Sequence, residues 1–165
     1  MKRFLQSGVV LFAGVLGIAT ASVLPDQDVT KERKRFDLRE VLLRKFLKTN
    51  HCPIEDYSST FLSEADTHGL DWRLLPSISL VESGGGKTAK GNNLFGWANG
   101  KSSFISIGES IHLVAAALAH GRSYSGKDLM GKLAAYNHAT NYQAMVLDIM
   151  RQISPTAQVA ELAAE

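Results

Sequence analysis

A single cysteine in 165 residues, Cys52, excludes an intramolecular disulfide framework and any cysteine-rich metal cluster. It reads as a small buried hydrophobe, since no histidine spacing supports a catalytic thiol. Net charge is also scarce. The chain has 18 Lys+Arg against 16 Asp+Glu, a formal +2. Removing residues 1–21 takes Lys2 and Arg3 but no acid, which leaves 16 bases against 16 acids. That balance gives no reason to expect nucleic acid as a partner. Acidic residues are missing entirely from Ser83 to Gly108. Whatever chemistry that segment joins, it contributes no carboxylate. The hydrophobic fraction of 45% is nevertheless ordinary for a globular protein, so a core can form without covalent staples.

What is present is organised around the stretch from Leu74 to Lys87, LLPSISLVESGGGK. Leu74, Leu75, Ile78, Leu80 and Val81 follow a helical repeat better than strict alternation. Glu82, four residues after Ile78, falls beside that apolar face. Gly84, Gly85 and Gly86 supply the left-handed conformations that end helices. A carboxyl there is partly desolvated, its pKa is expected to rise, and it meets the requirement for a general acid near neutral pH. The alternative is a boundary glutamate that merely solvates a helix end. The letters Gly-Gly-Gly-Lys-Thr also suggest a phosphate-binding loop, but the first glycine of that pattern is replaced by Val81. Its acidic companion would be Asp148, which helical spacing of Tyr142, Met145, Val146, Ile149 and Ile153 sets on another face.

Residues 1–21 have the layout of a secretion signal. Lys2 and Arg3 form the charged start, Gly8 to Ala19 the apolar middle, and Ala19-Thr20-Ala21 the cleavage site. The uncharged run of residues 4–24 is also long enough to anchor in a membrane if uncut. Either way the domain is expected outside the cytoplasm. Lys31, Arg33, Lys34 and Arg35 oppose translocation, so cell fractionation is the test, and a cytoplasmic pool of full-length chain would defeat export. Residues 22–35 read as a charged linker, 36–153 as the folded domain, and 154–165 as a loose, Ala-rich tail.

Within the domain, 36–49 is expected to be helical, with Phe36, Leu43, Phe46 and Leu47 apolar and a solvated basic face. A second helix over 55–68 buries Tyr57, Phe61 and Ala65 and stops at Gly69. Asp71 resembles an N-cap, and Pro76 delays the central helix to Arg73 or Leu74. Between Lys87 and Ile105 the chain is rich in Gly, Asn and Ser. There, Asn99-Gly100 between the apolar runs Leu94-Phe95 and Phe104-Ile105 predicts a β-hairpin. Phe95 and Trp97 on that hairpin either stack on sugar rings or cap the core beneath. Ser106 and Glu109 form a capping box for a helix through Ile111, Val114, Ala115 and Leu118 that ends at Gly121. His112 and His120 have no acid or cysteine at ligand spacing, so no metal is expected. A short helix through Leu129 and Leu133 reaches Tyr136-Asn137, and a last helix runs over 142–153.

The run Tyr57…Ala65-Asp66…Gly69-Leu70-Asp71-Trp72-Arg73-Leu74-Leu75-Pro76, with Val81-Glu82-Ser83, Asn93-Leu94-Phe95-Gly96-Trp97 and Tyr136-Asn137, resembles the bacterial glucosaminidase-type domains of the lysozyme-like superfamily. That group includes peptidoglycan-cleaving glucosaminidases and, more distantly, lytic transglycosylases. The resemblance covers about residues 50–153. It implies a mainly α fold (α+β, lysozyme-like), a helical bundle around a central buried helix with a small β-hairpin beside a sugar-binding groove. It implies Glu82 as general acid, with Ser83, Asn93, Phe95, Trp97, Tyr136 and Asn137 contacting substrate. The partner implied is the peptidoglycan glycan strand, cut without a cofactor. His138 stands where many relatives have proline, and Gly85 where they often have a larger apolar residue.

A glycosidic oxygen leaves only when protonated, and most hydrolases add a second carboxylate as nucleophile or base. The 83–108 segment has none to give. Either a carboxylate comes from elsewhere in the chain, or the substrate's own acetamido oxygen or hydroxyl attacks, with Tyr136 or Asn137 orienting it. A third reading is a catalytically inactive lysozyme-like module that binds glycan or organises a wall complex.

Overall fold

Asp37 opens the first helix of the computed structural model, which describes residues 36–155. The leader or anchor, the linker, and the tail beyond Pro155 lie outside the described residues. The Asp37 carboxylate accepts the Arg39 amide at 2.9 Å and caps α1, Leu38–Thr49. Both arginines of α1 are engaged by acids. The Arg39 guanidinium donates to Asp37 at 2.7 Å and to Asp66 at 2.8 Å, and Arg44 donates to Asp56 at 2.8 Å. Exposed pairs of this kind stabilise by only about 0–1 kcal/mol each, but they fix how α1 lies on its neighbours.

A single 3-10 turn, Glu55–Tyr57, leads into α2, Ser58–His68. Gly69 ends α2 at φ 62°, the left-handed position its sequence predicts. The Asp71 carboxylate then accepts the Arg73 amide at 2.9 Å and holds the Arg73 guanidinium at 2.6 Å. This starts α3, Leu74–Ser83, with Pro76 in its first turn, where the missing N–H has no helical partner to lose. Leu74, Leu75 and Ile78 are almost fully buried. The three remaining helices are α4, Ile107–His120; α5, Leu129–Tyr136; and α6, Tyr142–Ile153. Half of the expected capping box of α4 forms: Ser106 Oγ accepts the Glu109 amide at 3.0 Å, while the Glu109 carboxylate accepts the amide of Ile105, one residue before the N-cap. Helix α3 packs on α6, and α2 packs on α4. Leu43, Leu47, Phe61, Ile111, Leu118 and Val146 fill the shared core. Arg73 donates to the Ser154 carbonyl at 2.7 Å and ties the end of α6 to the start of α3.

The mainly helical architecture is thus as expected, but the β-hairpin is not: no strand occurs among the described residues. The segment 88–105 runs as successive turns instead. Gly91, Asn92, Gly96, Ala98, Asn99 and Gly100 all have positive φ, which breaks the extended backbone a strand pair needs. The ends of the loop are joined by the Phe104 amide donating to Gly91 O at 2.8 Å and the Asn92 side chain donating to Phe104 O at 2.9 Å. Asn99-Gly100 does turn the chain, but what it joins is loop. No described helix is long and apolar enough to cross a membrane.

The Gly-Lys-Thr stretch follows the end of helix α3 and does not open a helix, so it lacks the N-terminal amides of a phosphate loop. Its glycines have a packing role. A Cβ on Gly85 (φ 66°) would lie 2.5 Å from the sulfur of Cys52. Cys52 is buried and its thiol pKa is raised by that burial, as befits a small hydrophobe. We expect Gly85→Ala to destabilise the fold by about 2–4 kcal/mol in chemical denaturation, combining left-handed strain and overpacking. Adding Cys52→Ala should return part of the overpacking share; no recovery would mean the two residues do not press on each other.

Candidate active site

Glu82 sits in the last turn of α3, at the point where the helix gives way to glycine. Its carboxyl is half-buried, and desolvation raises its pKa above the ordinary 4.5. The Tyr142 hydroxyl on α6 works against that rise, although no hydrogen bond of good geometry closes between them. Burial outweighs it.

The carboxyl is fitted against backbone on its other side. Oε2 of Glu82 lies where a Cβ on Gly96 would approach to 2.6 Å, and Gly96 itself is at φ 60°. Only glycine meets both conditions. The loop that presents Gly96 is held by Asn93, which is 5% exposed. Its Nδ2 donates to Trp97 O and Ser102 O at 3.0 Å, and its Oδ1 accepts the Trp97 amide at 2.9 Å. Ser83 performs a similar task from the helix side. Its hydroxyl donates to Leu94 O at 2.7 Å and accepts the Gly86 amide at 3.0 Å. Of the residues expected to contact substrate, Asn93 and Ser83 therefore have polar groups engaged within the protein, and both also line a cleft beside Glu82.

Phe95 is 1% exposed and packs in the core beneath the loop, at the floor of a cleft it helps to line. Its carbonyl accepts the Tyr136 hydroxyl at 2.5 Å. Burial first, and the nearby Glu82 charge second, push the Tyr136 pKa far up, so the phenol stays a donor. Trp97 is partly exposed, and its ring centroid lies 5.9 Å from that of Tyr136 and 6.4 Å from that of Tyr124. Asn137, the C-cap of α5, uses Oδ1 to accept the Ala139 amide at 2.9 Å.

Two clefts meet at Glu82. The larger, about 340 Å³, is lined by Glu82, Gly96, Trp97, Tyr124, Tyr136 and Asn137, with Phe95, Ala98 and Asn99. The smaller, about 150 Å³, is lined by Glu82 and Gly96 again, with Ser83, Thr88, Ala89, Lys90, Asn93 and Gly100. Glu82 is the sole carboxylate in either lining. The chain matches no family model and no curated protein. What the site can do therefore rests on its geometry.

Of the residues expected from the sequence, Glu82, Phe95, Trp97, Tyr136 and Asn137 line the larger cleft, and Ser83 and Asn93 line the smaller one with Glu82. Sequence reasoning missed Tyr124, which no periodicity distinguishes because it lies in the turns after α4. It read Tyr142 only as an apolar helix residue, although burial and the Glu82 charge raise its pKa strongly. The tightness of Gly96 against the acid has a sequence signal, a glycine between two aromatics, but its partner is fixed only in three dimensions.

Proposed function

We propose that this protein is a glycosidase acting on the glycan strand of peptidoglycan, of N-acetylglucosaminidase or lytic transglycosylase type. The observation that carries this reading is a single half-buried carboxyl, raised in pKa, at the meeting point of two clefts, one of them walled by aromatic rings. Two clefts that share the acid in their linings suit a chain substrate, whose scissile bond lies between two bound sugars. Flat rings beside the acid suit the apolar faces of sugars.

In the reaction so read, the Glu82 proton passes to the glycosidic oxygen as the bond to the anomeric carbon breaks, and positive charge develops on that carbon. With no second carboxylate in the linings, the substrate supplies the nucleophile. If its 2-acetamido oxygen attacks, a ring forms that water later opens, and the ionised Glu82 takes the proton from that water. If a sugar hydroxyl attacks, Glu82 takes the hydroxyl proton and an anhydro sugar results. The neutral Tyr136 phenol helps keep the loop carbonyl at residue 95, and with it Gly96, against the acid. An exported, wall-facing location goes with this substrate and with the leader-like residues 1–21.

Mass spectrometry of fragments released from purified cell walls tests the proposal. New reducing ends are expected from hydrolysis and anhydro ends from transglycosylation. The absent second carboxylate also favours the other reading, a glycan-binding module without activity. A protein that co-sediments with walls yet clears no band on a zymogram would establish that reading and end the enzymatic one.

A further inference from the structure

On the α2–α4 contact, where no part of the proposed glycan site lies, four side chains converge that the sequence gave no reason to group. Glu64 and His68 are one turn apart on α2, and His112 and His120 are about two turns apart on α4, so each pair shares a face. His68 Nε2 lies 3.5 Å from Glu64 Oε2, and His112 Nδ1 lies 3.0 Å from the same oxygen. One ligand atom from each of Glu64, His68 and His112 falls within 4.8 Å of the others. Two donors bound to one tetrahedral zinc ion are separated by roughly 3.4 Å, given metal–ligand distances near 2.0–2.1 Å. The cluster is already close to that spacing, and the exposed His112 side chain has room to adjust.

The orientation of His68 supports the grouping. Its side chain is only 11% exposed, and Nε2 is buried with no hydrogen-bond partner. Its other nitrogen, Nδ1, lies 3.1 Å from His120 Nε2. With the proton on Nδ1 and donated to His120, Nε2 presents a bare lone pair beside the Glu64 carboxylate. In that tautomer two electron-rich atoms face each other at the partly exposed α2–α4 seam, an arrangement that a bound cation satisfies. A ligating histidine held by a hydrogen bond through its second nitrogen is the usual outer-shell arrangement of metal sites.

We infer that Glu64, His68 and His112 form a binding site for a divalent transition metal of the zinc class, oriented by His120 and clamping α2 to α4. Two imidazoles and one carboxylate suit zinc, whereas calcium and magnesium prefer all-oxygen shells. The fourth position opens toward solvent on the His112 side, where water completes the tetrahedron.

The test uses the full chain without a histidine tag, stripped of metal, titrated with Zn²⁺ by calorimetry and with Co²⁺ by visible absorption. One equivalent should bind, Co²⁺ should give the intense bands of a tetrahedral site, and Zn²⁺ should raise the melting temperature. His112→Ala, at an exposed position, should weaken Zn²⁺ binding at least tenfold. His120→Ala should weaken it about 10–100-fold through loss of orientation. His138→Ala, outside the cluster, should leave it unchanged. Absence of a saturable 1:1 site, or His112→Ala binding as tightly as the parent, would overturn the assignment. Glu82→Gln protein should bind metal normally, so this result stands apart from the glycan reading.

Discussion

Replacing Glu82 with glutamine should reduce cleavage of purified peptidoglycan by about 10²–10⁴-fold, the usual contribution of a positioned general acid. In barrier terms this is roughly 3–5.5 kcal/mol. Glutamine keeps the size of the side chain and loses only the transferable proton, so binding to walls should survive. Near-normal cleavage by the variant would refute the role of Glu82. The stability of the same variant gives a second readout with a definite sign. Burial raises the folded-state pKa of Glu82 above its ordinary value. For a raised group, the associated stability is fully present below the unfolded pKa and is lost as pH rises through the folded pKa. Glutamine cannot ionise. The variant should therefore equal or slightly exceed the parent at neutral pH, and that advantage should vanish below the ordinary carboxyl range. Activity of the parent should likewise persist to a higher pH than an unperturbed glutamate permits, then fall as Glu82 ionises. A variant whose relative stability does not change with pH would mean that the carboxyl is not desolvated.

Gly96→Ala is the second change with a large expected effect. The added methyl would stand 2.6 Å from Oε2 of Glu82, at a backbone φ of 60°. The left-handed backbone alone costs about 1–2 kcal/mol. The steric overlap must then be relieved by moving either the loop or the acid. A displacement near 1 Å at the reacting group lowers rate about 10²-fold, so activity should fall by that order while the protein stays folded. Gly69→Ala is the matched control. Its φ is 62°, with nothing within 4 Å of the added methyl, and it lies at the end of α2. It should show the backbone cost without the activity loss. Equal activity in both variants would remove the contact between Gly96 and the acid from the argument.

How far the sequence reached differs from element to element. The helices were legible because their signals are local. Asp37, Asp71 and Ser106 accept amides within three residues, and Gly69 and Gly84 terminate where a left-handed residue is needed. The loop of residues 88–105 is not the hairpin that Asn99-Gly100 predicts, because Asn-Gly states that the chain turns, not what pairs beside it. Its path is decided by the buried Asn93 amide and the Asn92–Phe104 bond, which join residues up to twelve positions apart. Phe95 was ambiguous for the same reason. Alternation cannot tell a ring that faces a groove from one that faces the core.

By itself the sequence determined a helical domain, a glutamate at the end of an apolar helix, and a neighbouring segment without acids. These follow from residue spacing and from composition, which need no third dimension. Only the tertiary structure decided that Glu82 touches Gly96 and meets two clefts, that Tyr124 joins the aromatic wall, and that Glu64 and His68 face His112 and His120. Each of these depends on the packing of α3 on α6 or α2 on α4, or on the fold of the loop. Helical periodicity states which side of a helix is buried but not which residues of another element lie against it.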